Sequence, residues 1–134
     1  MKALITASFT PEGIARLERH MAVVHEDWRA RQAIYFDGQA FARRIAEVGA
    51  DVLVVEADLV HEEVLDAVPL RLIGCCRGDP INVGVARATT LGIPVLATPG
   101  RNADAVADLT LGFLLALARH IYTVNHLLKS GQMT

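Results

Sequence analysis

Residues 70–108, LRLIGCCRGDPINVGVARATTLGIPVLATPGRNADAVAD, read as strand, glycine-containing loop, helix, strand, loop and helix in unbroken succession. Residues 70–74 and 93–97 are apolar runs of strand length. Between them a helix runs to Leu91, with Asn82 as its expected cap and Gly92 as its stop. Strands joined by a helical crossover lie parallel, and the crossover is right-handed. Two polar loops therefore open side by side at the carboxyl ends of buried strands. In an open parallel sheet that edge is where ligands sit, because helix N-termini and free N–H groups converge there. Arg77, Gly78 and Asn102 lie in those loops.

The same alternation extends towards the N-terminus. Residues 3–7 form a first strand, and Thr10 followed by Pro11 starts a helix, since the hydroxyl caps free N–H groups and proline at the first helical position loses nothing. Ile14, Leu17 and Met21 share a face at helical spacing, and residues 22–25 make a short strand flanked by charge, as suits an edge. Residues 26–37, with Trp28, Arg29, Arg31, Tyr35 and Phe36, show no period and read as a loop. A helix over 38–48 follows, capped by Asp37 and ended by Gly49, with Phe41, Ile45 and Val48 inward and Arg43, Arg44 and Glu47 in water. Residues 52–55 are an unbroken apolar run, the pattern of a central strand covered on both faces. Residues 56–58 are a loop, and 61–68 a short helix stopped at Pro69.

From Ala103 onward the pattern changes. Val106, Ala107, Leu109, Leu111, Phe113, Leu114, Leu115 and Leu117 surround the helix instead of forming one stripe, which calls for burial on all sides. A second helical piece covers 122–128. If the chain folds alone, the expectation is exposed apolar surface and self-association.

Composition bounds the function. At 134 residues, 52% apolar and 21% charged with a formal charge of −2, the chain suits one globular α/β domain plus an appendage. No basic face suits a phosphate backbone, and aromatics at 5% offer little to stack bases on, which argues against nucleic acid. The longest apolar run, 109–118, is roughly half of the ~20 residues needed to span a bilayer. The N-terminus, MKALITASFT, lacks the small-residue cleavage site of a secretory signal, so cytoplasm is the default. Cys75 and Cys76 are adjacent at a strand end, where their side chains point to opposite faces; they read as small core hydrophobes, not as a redox or metal pair. His61-Glu62-Glu63-Val64-Leu65 begins like a zinc-protease helix but lacks the second histidine, so no metal site is expected.

The segments LRLIGCCRGDPINV (70–83) and GIPVLATPGRNADAVADLTLGFLLALAR (92–119) resemble the D-isomer-specific 2-hydroxyacid dehydrogenases, the NAD-dependent family that includes phosphoglycerate dehydrogenase, glyoxylate reductase and formate dehydrogenase. The likeness extends weakly to the N-terminus. It implies a flavodoxin-like α/β fold: an open parallel five-stranded sheet, order 2-1-3-4-5, with helices on both faces and a long C-terminal apolar helix. The implied division is a substrate domain over 1–100, then an interdomain helix and the start of the following segment over 101–134. In the family, backbone amides of the loop that is here 76–80 bind the carboxylate of a 2-hydroxy or 2-keto acid, and successive N–H groups in a turn do make a concave anion site. Arg77 adds a bidentate contact beside Gly78. The resemblance matches Asn102 to the asparagine that hydrogen-bonds the substrate, beyond its simple reading as a helix cap, and Val106 to an apolar position against the nicotinamide.

Two departures stand out. Asp79 occupies a position where many relatives carry glycine, and the loop Glu56-Ala57-Asp58 is acidic where many carry an Arg-Ser pair, which disfavours a doubly anionic substrate. No GxGxxG turn occurs, and none of the five histidines, at 20, 25, 61, 120 and 126, lies in the context of the family's general acid. The reading is therefore the substrate-binding portion of an NAD-dependent enzyme, inactive by itself, partnered by a missing nucleotide-binding domain and by other copies as a homo-oligomer. The alternative is a free-standing module for small carboxylates or for oligomerisation. A phosphorylatable receiver domain of the same strand order is disfavoured because Ala7-Ser8-Phe9 offers no acidic cluster.

Overall fold

In the unit Met1–Pro99, strands and helices alternate as β1 (Lys2–Ile5), α1 (Pro11–Glu18), β2 (Ala22–His25), α2 (Trp28–Arg31), α3 (Gly38–Val48), β3 (Val52–Val55), α4 (Glu62–Ala67), β4 (Leu72–Cys75), α5 (Val85–Thr90) and β5 (Val95–Leu96). A second unit, Gly100–Thr134, holds α6 (Ala103–Ala118) and α7 (Ile121–Lys129). The structure, a computed structural model, describes residues 1–132. All strand pairs are parallel and the order is β2-β1-β3-β4-β5, as the resemblance implied.

Register explains how so few residues per strand build two cores. Val24, Leu4, Leu53, Ile73 and Val95 are paired in one row across the sheet, and all five face the larger core. Strand side chains alternate, so Ala3, Ile5, Val52, Val54 and Leu72 face the other side. The larger core is roofed by Phe41, Ala42, Ile45 and Val48 of α3, Val64 and Leu65 of α4, and Ala88 of α5. The smaller one is roofed by Ile14 and Leu17 of α1 with Phe9 and Met21. β3 lies in the middle of the sheet, as its unbroken apolar run predicted. Cys75 belongs to the first core and Cys76 packs on the second, on opposite faces as expected.

Local signals hold at two helix starts. Thr10 Oγ1 accepts the Gly13 N–H at 3.2 Å, and Asp37 Oδ1 accepts those of Gln39 and Ala40 at 2.9 and 3.0 Å. Gly49, at φ +66°, ends α3 in the left-handed conformation that glycine adopts without steric cost.

Four expectations are corrected. The segment read as a loop over 26–37 contains the single turn α2, capped by Asp27; four residues are too few to show a period. Asn82 does not cap the next helix: α5 starts three residues later, at an N-cap position held by Gly84 without a side-chain bond. β5 spans only Val95–Leu96 instead of 93–97, because Pro94 has no N–H for the ladder and contributes only its carbonyl, which accepts from Ile73 N–H at 3.0 Å. Asn102 stands at the N-cap position of α6 but makes no side-chain capping bond.

No residue of α6 is buried; Leu114 is 58% exposed and Leu117 74%. α6 and α7 meet at a 61° bend, with His120 between them at φ +51°. Among the described residues no single helix is long and apolar enough to cross a membrane.

Candidate functional site

Arg77 follows β4 at the carboxyl edge of the sheet. Its neighbour's N–H (Cys76) donates to Val55 O at 2.8 Å, and its own carbonyl accepts the Thr98 N–H at 2.8 Å. Its backbone is thus fixed between the ends of β3 and β5. Its half-buried side chain runs back across the sheet edge: Nε donates to the Glu56 carbonyl at 2.6 Å, which lays the guanidinium over the tip of β3. The following residues, Gly78 and Asp79, are exposed in the turn. A positive fork and an exposed run of backbone therefore share one edge, a combination that suits a planar anion.

The acidic loop behind this edge is folded inward. The Glu56 carboxylate, only 7% exposed, accepts Trp28 Nε1–H at 3.0 Å and Ser8 N–H at 3.5 Å and lies 3.9 Å from the Arg29 guanidinium. Asp58 is fully buried: Oδ1 accepts the Tyr35 N–H at 2.7 Å and lies 3.7 Å from Arg31. Arg31 in turn stacks over the Tyr35 ring at 4.4 Å and reaches Glu26, which Arg44 also binds. Both acids of the loop thus meet arginines from α2, and Arg77 is turned by a carbonyl rather than by a carboxylate. Asp27, which caps α2, is ionised more readily than an ordinary aspartate. Burial works against that, but the Ser8 hydroxyl, the Arg29 N–H and the charges of His25 and Arg29 outweigh it.

Asn82, which the sequence placed at a helix start, is instead buried between the two site loops. Its Nδ2 donates to Asp58 O at 2.8 Å and to Glu56 O at 3.5 Å, while Oδ1 accepts the Cys75 thiol at 3.3 Å. Burial pushes the Cys75 thiol above the ordinary cysteine value, against the opposing pull of the Arg77 N–H and charge, so the group stays a neutral donor. The available signal was an asparagine followed at once by one apolar residue, Val83, and a glycine, Gly84, with no helical residue until Val85; it reads equally as a turn.

In the second unit, Asn102 is exposed at the head of α6, its carbonyl accepting the Val106 N–H at 2.9 Å, and Val106 is half-exposed one turn along. Among the described residues no three His, Cys, Asp or Glu side chains gather to hold a metal. Among the described residues the turns that follow the strands do not fit a dinucleotide: those after β1, β2 and β3 contain no glycine, the one after β4 has only Gly78 and Gly84, too far apart to cradle a pyrophosphate, and the one after β5 has only Gly100.

The family model described as "D-isomer specific 2-hydroxyacid dehydrogenase, catalytic domain" matches residues 3–134. The chain is 37% identical over 134 residues to the Bacillus subtilis protein YoaD, a 2-hydroxyacid dehydrogenase by name, covering 98% of this chain and 39% of that one. It is 32% identical to a glyoxylate reductase of Thermococcus kodakarensis, covering 98% of this chain and 38% of the relative. Among solved structures, the Thermus thermophilus protein TT0316 superposes with a TM-score of 0.81 at 28% identity, over all of this chain and 42% of that one. The chain thus spans about two fifths of the length of the curated relatives it matches.

Proposed function

The chain belongs to the D-isomer specific 2-hydroxyacid dehydrogenase family, and from that premise we propose that it supplies the substrate-binding part of an enzyme that interconverts a small 2-hydroxy acid and its 2-keto acid. The observation that carries the reading is the Arg77 guanidinium, braced by the Glu56 carbonyl at the carboxyl edge of the sheet beside the exposed Gly78. In this reading the terminal N–H groups of Arg77 and the N–H of Gly78 take the substrate carboxylate. That fixes the acid end and leaves the neighbouring carbonyl carbon to be reduced. Asn102 is proposed as a second hydrogen-bond donor to the substrate and Val106 as an apolar contact to the nicotinamide.

NAD(H) itself is assigned to a nucleotide-binding domain outside these 134 residues, because the turns here do not fit it. Hydride transfer to a carbonyl also needs a positioned acid and a polarising cation. Among the described residues of the first unit, the histidines are exposed at 20, 25 and 61, and the one at a strand tip, His25, is engaged with the Ala7 carbonyl at 3.0 Å. The purified chain is therefore expected to oxidise no NADH with glyoxylate, pyruvate or hydroxypyruvate.

Binding is tested directly by titrating glyoxylate into isotopically labelled chain and following amide and arginine side-chain signals by NMR. The Gly78 N–H and Arg77 Nε–H signals are expected to shift in a saturable way. Arg77→Ala is expected to weaken binding by about 1.5–3 kcal/mol, the scale of a hydrogen bond to a charged group. Signals at both residues that ignore glyoxylate, with shifts elsewhere or nowhere, overturn the assignment.

A further inference from the structure

Asn82 is buried and uncharged in the loop after β4, yet its amide reaches across to the loop after β3. Nδ2 reaches the carbonyls of Asp58 and Glu56, and Oδ1 takes the Cys75 thiol. Its main chain adds to the same seam: Val60 N–H donates to Asn82 O at 2.8 Å and Gly84 N–H to Val60 O at 2.8 Å, around an isolated parallel bridge between Val60 and Val83. The decisive detail is a shared acceptor. The Glu56 carbonyl receives Arg77 Nε–H at 2.6 Å and Asn82 Nδ2–H at 3.5 Å. A carbonyl has two lone pairs, so one oxygen serves both donors and links the Asn82 amide to the Arg77 guanidinium.

We infer that Asn82 is a positioning residue for the carboxylate site: it clasps the loop after β3 to the loop after β4 and, through the Glu56 carbonyl, sets the direction in which Arg77 presents its terminal N–H groups. The inference rests on the proposed role of Arg77 for its functional consequence, but its structural content concerns only the Asn82–Glu56–Arg77 chain of contacts.

The amide is suited to this work. It donates to two carbonyl oxygens while accepting from a thiol, a pattern no other side chain of that size reproduces. An aspartate would face two carbonyls with acceptors only, and a leucine of similar volume would leave both unsatisfied. Nothing in the site is charged by this clasp, so it orients Arg77 without competing for the anion that Arg77 is there to bind.

The test uses the labelled full chain, with glyoxylate as the probe. In the unsubstituted protein the Arg77 Nε–H signal is expected to be sharp and slow to exchange with water. In Asn82→Ala, or in Asn82→Ser should the alanine variant fail to fold, it is expected to move and exchange faster while the sheet amide signals stay in place. Glyoxylate binding, read at the Gly78 amide, is expected to weaken about tenfold, the scale of one net hydrogen bond. In an Arg77→Ala background the Asn82 substitution is expected to add no further loss, because its effect runs through Arg77. A folded Asn82 variant with an unaltered Arg77 signal overturns the inference, as does an equal loss of affinity with and without Arg77, which marks a general effect on the fold. If the unsubstituted chain ignores glyoxylate, the carboxylate reading falls, and the clasp stands or falls on the Arg77 signal alone.

Discussion

Cys75 and Cys76 are neighbours in sequence with opposite surroundings, and the difference is measurable. Cys75 is fully buried in the larger core with its thiol raised by burial; Cys76 is half-buried on the other face. The thiolate is the reactive form, so iodoacetamide at mildly alkaline pH is expected to modify Cys76 first and Cys75 only once denaturant opens the sheet. Equal rates in the folded protein would contradict the assignment of faces. Asp27 makes the complementary case. Its carboxylate binds the Ser8 hydroxyl and the Arg29 N–H, both at 2.8 Å. Asp27→Ala is expected to cost about 1 kcal/mol as a lost helix cap. Because the folded carboxyl titrates below its unfolded value, its contribution is complete above the unfolded pKa and disappears as pH falls through the lower, folded one. Acid unfolding followed by circular dichroism should therefore show the stability gap between the unsubstituted protein and Asp27→Ala closing as pH drops through that window.

Among the elements, α3 carries the heaviest load. Phe41 is fully buried and stacks on Tyr35 with ring centroids 4.4 Å apart and planes 7° from parallel. The same Tyr35 offers its other contacts to Arg31 and its N–H to Asp58. Phe41→Ala is expected to cost about 3–5 kcal/mol in urea unfolding and Phe41→Leu clearly less, since leucine refills most of the volume. A Phe41→Ala cost no larger than that of Phe41→Leu would mean that the buried volume at this position contributes nothing. The elements that were legible in the sequence are those with strong local physics: α3 between Asp37 and Gly49, the unbroken run of β3, and α1 behind Thr10 and Pro11. Those that were not are decided by partners far along the chain. α2 exists because Asp27 caps it and Trp28 reaches Glu56, 28 residues away; Asn82 is drawn from its expected cap to carbonyls more than 20 residues back. Arg77 was recognisable as a polar residue at a strand end, but no spacing rule announces that a main-chain carbonyl would aim it.

At the scale of the whole molecule, the second unit is the least satisfied part. α6 is sixteen residues with apolar side chains on every face, and Leu109, Leu111, Phe113, Leu114, Leu115 and Leu117 are each more than half exposed. Burying a side chain of this size is worth about 1.5–3 kcal/mol, so several leucines on one helix can hold two chains together even after the cost of association. In solutions of this chain alone, α6 of a second copy offers an apolar surface able to cover it, and self-association is the expected result. Sedimentation velocity should show mass rising with concentration, and the association should strengthen in ammonium sulfate, as apolar contacts do and surface ion pairs do not. Replacing Leu114 and Leu117 with glutamate should return the protein to monomers without loss of the sheet, since neither residue belongs to the core of the first unit. A single species of one-chain mass at all concentrations would sink this expectation while leaving the carboxylate site untouched. Conversely, a dimer that survives both substitutions would move the contact away from α6.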